Sequence, residues 1–185
     1  MTEKILPRPV KSNKYGQSVA CIDSVDYYTQ IFEEINEAIA ACIVERSAKI
    51  CTDEGCGQCI EVIENQLSNE SEIFELVDVI TCCVTRMDIL GCKADAYPVN
   101  VPVICSEKTF YNELTSYALN AFRQATLKKS LQETGELQNI IYYVVRYLYS
   151  KGIDKSQLEL LYSRVNEKNE RRGYFEEGHG YLDEV

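Results

Sequence analysis

The chain is short of the residues on which several common chemistries depend. It has no tryptophan and one histidine, His179, set between glycines near the end. A tail histidine of that kind reads as a solvated residue, not a general base, and no Ser/His/Asp set can be assembled around it. No glycine-rich loop of the phosphate-cradling pattern is present. Lys and Arg number 19 against 29 Asp and Glu, a net charge of −10, and no long basic run breaks that balance. Such a chain is poorly suited to a nucleic-acid backbone, although metal and a few local cations could still hold a single nucleotide. No segment approaches the roughly 18 apolar residues of a membrane span, and the opening residues Met1–Pro7 hold no apolar signal core. A cytoplasmic location with no membrane partner is therefore expected. The nine cysteines then read as reduced thiols and not as a disulfide framework.

What is present is helical periodicity. The 185 residues, 45% apolar and 26% charged, suffice for one domain with a real core. Residues 1–22 read as a polar N-terminal arm, with Pro7 and Pro9 and the basic Lys4, Arg8, Lys11 and Lys14. Residues 23–172 read as one all-α domain, and 173–185 as an irregular tail. A first helix is expected from Asp23-Ser24 to about Lys49, with Tyr28, Phe32, Ile35, Ile39 and Cys42 as its apolar stripe. The segment Cys51 to Cys59 reads as a loop, followed by a short helix over 59–67. A capping box with Asn69 as cap and Glu72 at N3 should start the next helix, which stops at Gly91. Its stripe is Ile73, Val77, Ile80, Val84 and Met87. Residues 92–107, with Pro98, Pro102 and alternating Val/Ile, read as an extended linker, with a short strand as the alternative. Helices are then expected over about 108–130 and 134–151, and from Asp154, with Gln157 at N3, to about Arg172.

Two acidic clusters lie beside the apolar stripes of the first two long helices. One is Glu33-Glu34-Ile35-Asn36-Glu37, and the other is Glu75-Leu76-Val77-Asp78. A spacing of three residues places two carboxylates about 60° apart around a helix. Two such helices side by side would gather four carboxylates, which repel one another unless a hard divalent cation is among them. Oxygen-only ligation suits Mg²⁺, and Mg²⁺ among carboxylates points to phosphate chemistry.

The second half reads as a degenerate copy of the first without its acid cluster. The run from Glu75 to Gly91 lies over that from Glu136 to Gly152 at a constant shift of 61 residues, and Phe32-Glu33-Glu34-Ile35 resembles Tyr111-Asn112-Glu113-Leu114, a shift of 79. In that alignment Asp78 becomes Asn139 and Glu37 becomes Ser116. The expected fold is a helical bundle of two degenerate helical-hairpin halves, with the acid site confined to the first. The run Tyr142, Tyr143, Tyr147, Tyr149 is assigned to packing or a subunit interface, ahead of a base-stacking role for one of them.

These residues resemble a known superfamily. Glu33-Glu34-x-x-Glu37 followed by Glu75-x-x-Asp78 is similar to the signature of the all-α nucleoside triphosphate pyrophosphohydrolases, which include MazG-like enzymes and dimeric dUTPases. Asn166-Glu167-Lys168-Asn169-Glu170-Arg171-Arg172-Gly173-Tyr174 resembles their C-terminal motif, and the likeness covers roughly residues 25–175. It implies a Mg²⁺ site, with Mn²⁺ as a substitute, on Glu34, Glu37, Glu75 and Asp78. It implies a water activated by the metal or by a glutamate, Glu34 first and Glu33 second, with Lys168, Asn169 and Arg172 on the phosphate chain, a nucleoside triphosphate as substrate, and a homodimer. The chain departs from the pattern in the 37 residues between Glu37 and Glu75, where the cysteine-bearing loop looks like an insertion. With no tryptophan, any base-stacking aromatic must be Tyr or Phe.

Two other readings compete. Cys51, Cys56 and Cys59 could bind Zn²⁺, but a fourth ligand at the proper spacing is absent, so zinc is not expected. A non-enzymatic helical interaction protein would use the acids as a solvated face and Lys168 to Arg172 as a helix end stabilised by its dipole. Within the enzyme class, dUTP-specific hydrolysis competes with a broader pyrophosphohydrolase activity.

Overall fold

The computed structural model describes residues 6–53, 71–95 and 105–176. Within them the chain is all-helical. Helix α1 spans Ser24–Asp53, α2 Glu72–Ile89, α3 Glu107–Thr126, α4 Ser130–Ser150 and α5 Lys155–Arg171. A single 3-10 turn, Val19–Cys21, precedes α1. No helix among the described residues is long and apolar enough to cross a membrane.

Helices α1 to α4 form an antiparallel bundle in which α1 packs on α2 and α3, and α4 packs on α2 and α3. The directions follow from the polar contacts. Tyr27 near the start of α1 donates to the Cys82 carbonyl near the end of α2, while Glu45 further along α1 accepts from the Glu72 N–H at the start of α2. Tyr111 at the start of α3 reaches the Ala38 carbonyl of α1, and the Tyr28 ring lies 5.5 Å from that of Phe122 at the far end of α3.

Burial reveals an internal two-fold relation between the halves. The buried residues Tyr27, Tyr28, Ile31, Ile35, Ala38 and Cys42 of α1 match Phe110, Tyr111, Leu114, Ala118, Ala121 and Ala125 of α3. The shift that aligns them is 83 residues (28 to 111), which corrects the expected register of 79 by one helical turn. One turn preserves the face, so apolar spacing alone could not distinguish the two. For α2 and α4 the expected shift of 61 holds: Leu76, Val79, Ile80, Cys83 and Met87 match Leu137, Ile140, Ile141, Val144 and Leu148, all buried. Both helices end at a glycine with positive φ, Gly91 at +71° and Gly152 at +87°. Any side chain would strain that backbone.

Two buried acids obey the same symmetry. Glu72, 2% exposed, accepts from the Tyr111 and Tyr147 hydroxyls at 2.8 and 3.0 Å and pairs with Lys151 at 3.1 Å. Glu133, also 2% exposed, accepts from Tyr28 at 3.1 Å and from the Arg86 guanidinium at 2.7 Å. Each sits in the first turn of its helix, where the dipole favours a carboxylate.

Other expectations need correction. Glu72 is not the N3 residue of a capping box: Ser71 is the N-cap of α2 and accepts from the Phe74 N–H, and Glu72 faces the core. Asn69 lies outside the described residues, as does the helix expected over 59–67. Helix α1 continues through Cys51–Asp53, where a loop was expected. Helix α3 ends at Thr126 and α4 begins at Ser130, because Lys128 adopts a positive φ of 55° and reverses the chain there. Such a turn usually carries glycine or asparagine, so a lysine gave no punctuation. The Asp154–Gln157 capping box of α5 is formed as the sequence indicates. Buried Ile31 and Ala38 show that the core face of α1 is centred beside the expected stripe, since Phe32 and Ile39 are only partly buried.

The described part of the N-terminal arm lies against the body. The Lys11 and Ser12 N–H groups donate to the Tyr174 carbonyl at 2.6 and 3.1 Å. The Val10 N–H donates to Thr85 of α2, and the Arg8 N–H to Asn166 of α5. The Arg8 guanidinium lies 4.0 Å above the Phe175 ring. Arm, α5 and the segment after α5 are thus tied together beside α2.

Candidate metal and phosphate site

The acids meet because α1 and α2 run antiparallel in the register set by the Tyr27–Cys82 and Glu45–Glu72 bonds. That register places Glu34 and Glu37 of α1 opposite Asp78 and Glu75 of α2. One carboxylate oxygen from each of Glu34, Glu37 and Glu75 can be chosen so that all lie within 4.8 Å of one another. Asp78 does not belong to this trio. Its carboxylate accepts from the ammonium of Lys168, in the last turn of α5, and the two form an ion pair. Lys168 in turn lies 4.8 Å from the ring of buried Phe74.

The group is partly buried. Asp78 is only 8% exposed, and Glu34 and Glu75 are half-buried, while Glu37 is exposed. Burial, followed by the negative charges of Asp78, Glu37 and Glu75, pushes the Glu34 carboxyl up to about 8 from an ordinary 4.5, against the opposing charge of Lys168. Asp78 is also raised: burial outweighs the relief from Lys168 and from the Arg172 guanidinium, and Glu37 adds to it. Burial and mutual repulsion thus both favour the protonated form of these two carboxyls.

The basic motif divides. Lys168 reaches the acids directly, and Arg172, the exposed C-cap residue of α5, is near enough to act on Asp78. Asn169 is 4% exposed, and its carbonyl accepts from the Tyr174 N–H at 2.9 Å. Arg171 is turned to solvent and pairs with Glu167 at 3.8 Å. Lys14 of the arm bonds Glu33 at 3.0 Å, which brings an arm cation to the edge of the cluster. The contact of Phe74 with Lys168 was hidden in the sequence, because it joins residues of different helices. The ion pair was also hidden, because it joins residues 90 positions apart.

The donor set fits a hard cation. Its converging atoms are carboxylate oxygens on two helices, joined by no thiolate or imidazole among the described residues, which favours Mg²⁺ or Mn²⁺ over softer metals. Glu34, Glu37 and Glu75 would hold it. Cys56 and Cys59 lie outside the described residues, as does His179. The equivalent place in the second half, at the burial-defined shifts, holds Tyr117, Asn120, Glu136 and Asn139. Among the described residues, the convergent acidic trio occurs only in the first half. No family model, curated protein or solved structure matches the chain.

Proposed function

We propose that the protein is a divalent-metal-dependent nucleoside triphosphate pyrophosphohydrolase of the MazG-like kind, converting a (d)NTP and water into the (d)NMP and pyrophosphate. The observation that carries this reading is the meeting of Glu34, Glu37 and Glu75 within 4.8 Å beside the cation of Lys168. A divalent cation on these carboxylates would neutralise phosphate charge and orient the triphosphate for in-line attack.

The chain's own residues supply the rest. Glu37 and Glu75 fix the cation-binding end of the site from two helices. Glu34, half-buried and with its proton affinity raised toward neutrality, is suited to accept the proton of the attacking water. The water oxygen bonds to the α-phosphorus, the bond from that phosphorus to the α–β bridging oxygen breaks, and pyrophosphate leaves with that oxygen. No covalent enzyme intermediate is needed. Lys168 and Arg172 line the side on which phosphate charge would lie. Asn169, buried at the foot of the motif, is better placed to hold the end of α5 than to touch phosphate. The loss of acids from the second half also resembles dimeric dUTPases, so dUTP is the first specific substrate to test.

The experiment is pyrophosphate release over a panel of canonical and modified dNTPs, with Mg²⁺ and with chelator. Metal-dependent release of pyrophosphate with the matching monophosphate is expected, and in Glu37→Gln it should be lost at the Mg²⁺ concentration that saturates the unaltered protein. Release of orthophosphate, or absence of turnover across the panel, would overturn the assignment. Selective turnover of dUTP would make the enzyme a dUTPase.

A further inference from the structure

Lys168 occupies an unusual place for a residue assigned to phosphate. Its ammonium lies not in open solvent but on the carboxylate of Asp78. Its stem is half-buried, with the ammonium 4.8 Å from the Phe74 ring, so the side chain is anchored along its length and only the head need move. The three acids that converge exclude Asp78, although it belongs to the same face of α2 as Glu75, one helical turn away. The fourth carboxylate of the cluster is thus committed to an internal cation.

We propose that Lys168 is an internal counter-ion that competes with metal: while it holds Asp78, that carboxylate is withheld, and a polyphosphate chain that draws the ammonium away releases Asp78 to complete the metal site. This inference rests on reading the acids as a metal site. An ammonium and a divalent cation repel each other while seeking the same negative field, so they cannot both be bound there at full strength. A triphosphate offers the lysine several charged oxygens in place of one carboxylate. Lysine suits such an exchange because its charge is compact and its stem flexible, whereas a planar guanidinium fits a bidentate carboxylate pair. Coupling of this kind is reciprocal, so a nucleotide that removes the lysine tightens metal binding by the factor by which metal tightens the nucleotide.

The test uses Mn²⁺ alone, without nucleotide, titrated into the full-length protein and read by the paramagnetic resonance of free Mn²⁺. Lys168→Gln removes the competing charge and should bind Mn²⁺ about tenfold more tightly than the unaltered protein, a coupling of ordinary size. Glu37→Gln should lose most of its Mn²⁺ affinity. Asp78→Asn should lose far less than Glu37→Gln, because Asp78 is not yet a ligand. That variant keeps the idea falsifiable if Lys168→Gln fails to fold. Equal or weaker Mn²⁺ binding by folded Lys168→Gln, with binding still dependent on Glu37, would overturn the counter-ion and leave the metal site standing. So would an Asp78→Asn loss as deep as that of Glu37→Gln. If the unaltered protein and both acid variants bind no Mn²⁺, the metal reading itself fails and this inference falls with it.

Discussion

Arg86 donates to Glu133 across the bundle at 2.7 Å, and the equivalent place in the other half is filled by Tyr147 donating to Glu72 at 3.0 Å. The two bonds run in opposite directions between α2 and α4, as a two-fold relation requires. They close the two ends of the interface with largely buried polar groups. The same interface is otherwise filled by the matched aliphatic residues of the two helices, so these acids fix its register.

Loss of Arg86 should therefore be costly. Arg86→Met leaves Glu133 buried without its cation, and removing one partner of a buried pair typically costs about 3–5 kcal/mol. Replacing both, with Glu133→Leu added, should recover much of that loss because no charge remains unpaired. Urea denaturation of the single and double variants checks this. A loss below about 1 kcal/mol in Arg86→Met would show that the pair contributes no more than a surface one.

Glu34 and Glu37 should separate kinetically. Glu37→Gln removes a carboxylate assigned to the metal and should raise the Mg²⁺ concentration needed for half-maximal activity. Glu34→Gln removes the group assigned to proton acceptance and should lower kcat even at saturating Mg²⁺, by about 10²–10⁴-fold. Both should keep the helical circular dichroism spectrum. Full rescue of Glu34→Gln by added Mg²⁺ would reassign that residue to metal binding alone.

The Glu34 proton also sets a pH dependence. In the native state burial and then neighbouring carboxylates hold its pKa up to about 8, whereas the unfolded chain has the ordinary 4.5. Between these values the native state binds more protons than the unfolded state, so stability falls as pH rises. The neutral carboxyl contributes fully below about 4.5 and its contribution is gone above about 8. Asp78 is raised by burial and adds a loss of the same sign. In metal-free buffer, Tm should fall from about pH 5 to about pH 8, more steeply than in Glu34→Gln. Mg²⁺ should raise Tm most at the alkaline end, where the carboxylates are already ionised. Parallel pH profiles for the unaltered protein and Glu34→Gln would refute the assignment.

The parts of the fold legible in the sequence were those written in local spacing. Asp154 and Gln157 announced the start of α5, Gly91 and Gly152 the ends of α2 and α4, and the stripe from Ile73 to Met87 the core face of α2. What escaped depended on distant partners. Glu72 has the sequence appearance of an ordinary first-turn acid, and its burial follows from Tyr111, Tyr147 and Lys151, which arrive from other helices. The acid spacing marked four carboxylates on facing sides of α1 and α2, but not that Asp78 would be bound to Lys168. The repeat itself was visible, while its register between α1 and α3 needed the burial of Tyr28 and Tyr111 to fix it.

That register makes the lost half of the symmetry testable. The convergent trio of Glu34, Glu37 and Glu75 maps onto Tyr117, Asn120 and Glu136, so one acid of the second set is already in place. Asn120 is exposed, and Tyr117 and Glu136 are half-buried, much like the residues they match. Tyr117→Glu with Asn120→Glu should therefore build a second carboxylate trio between α3 and α4. The cost should be small, because Tyr117 surrenders one edge-on contact with Tyr143, worth about 0.5–1.5 kcal/mol. Mn²⁺ stoichiometry in the double variant should rise by one equivalent, and adding Glu136→Gln should take it back. A register of 79 instead equates Glu34 with Glu113 and Glu37 with Ser116, and under it Ser116→Glu would be the effective substitution. A second equivalent bound by Ser116→Glu, and none by the Tyr117/Asn120 double variant, would refute the shift of 83 and the two-fold relation drawn from it.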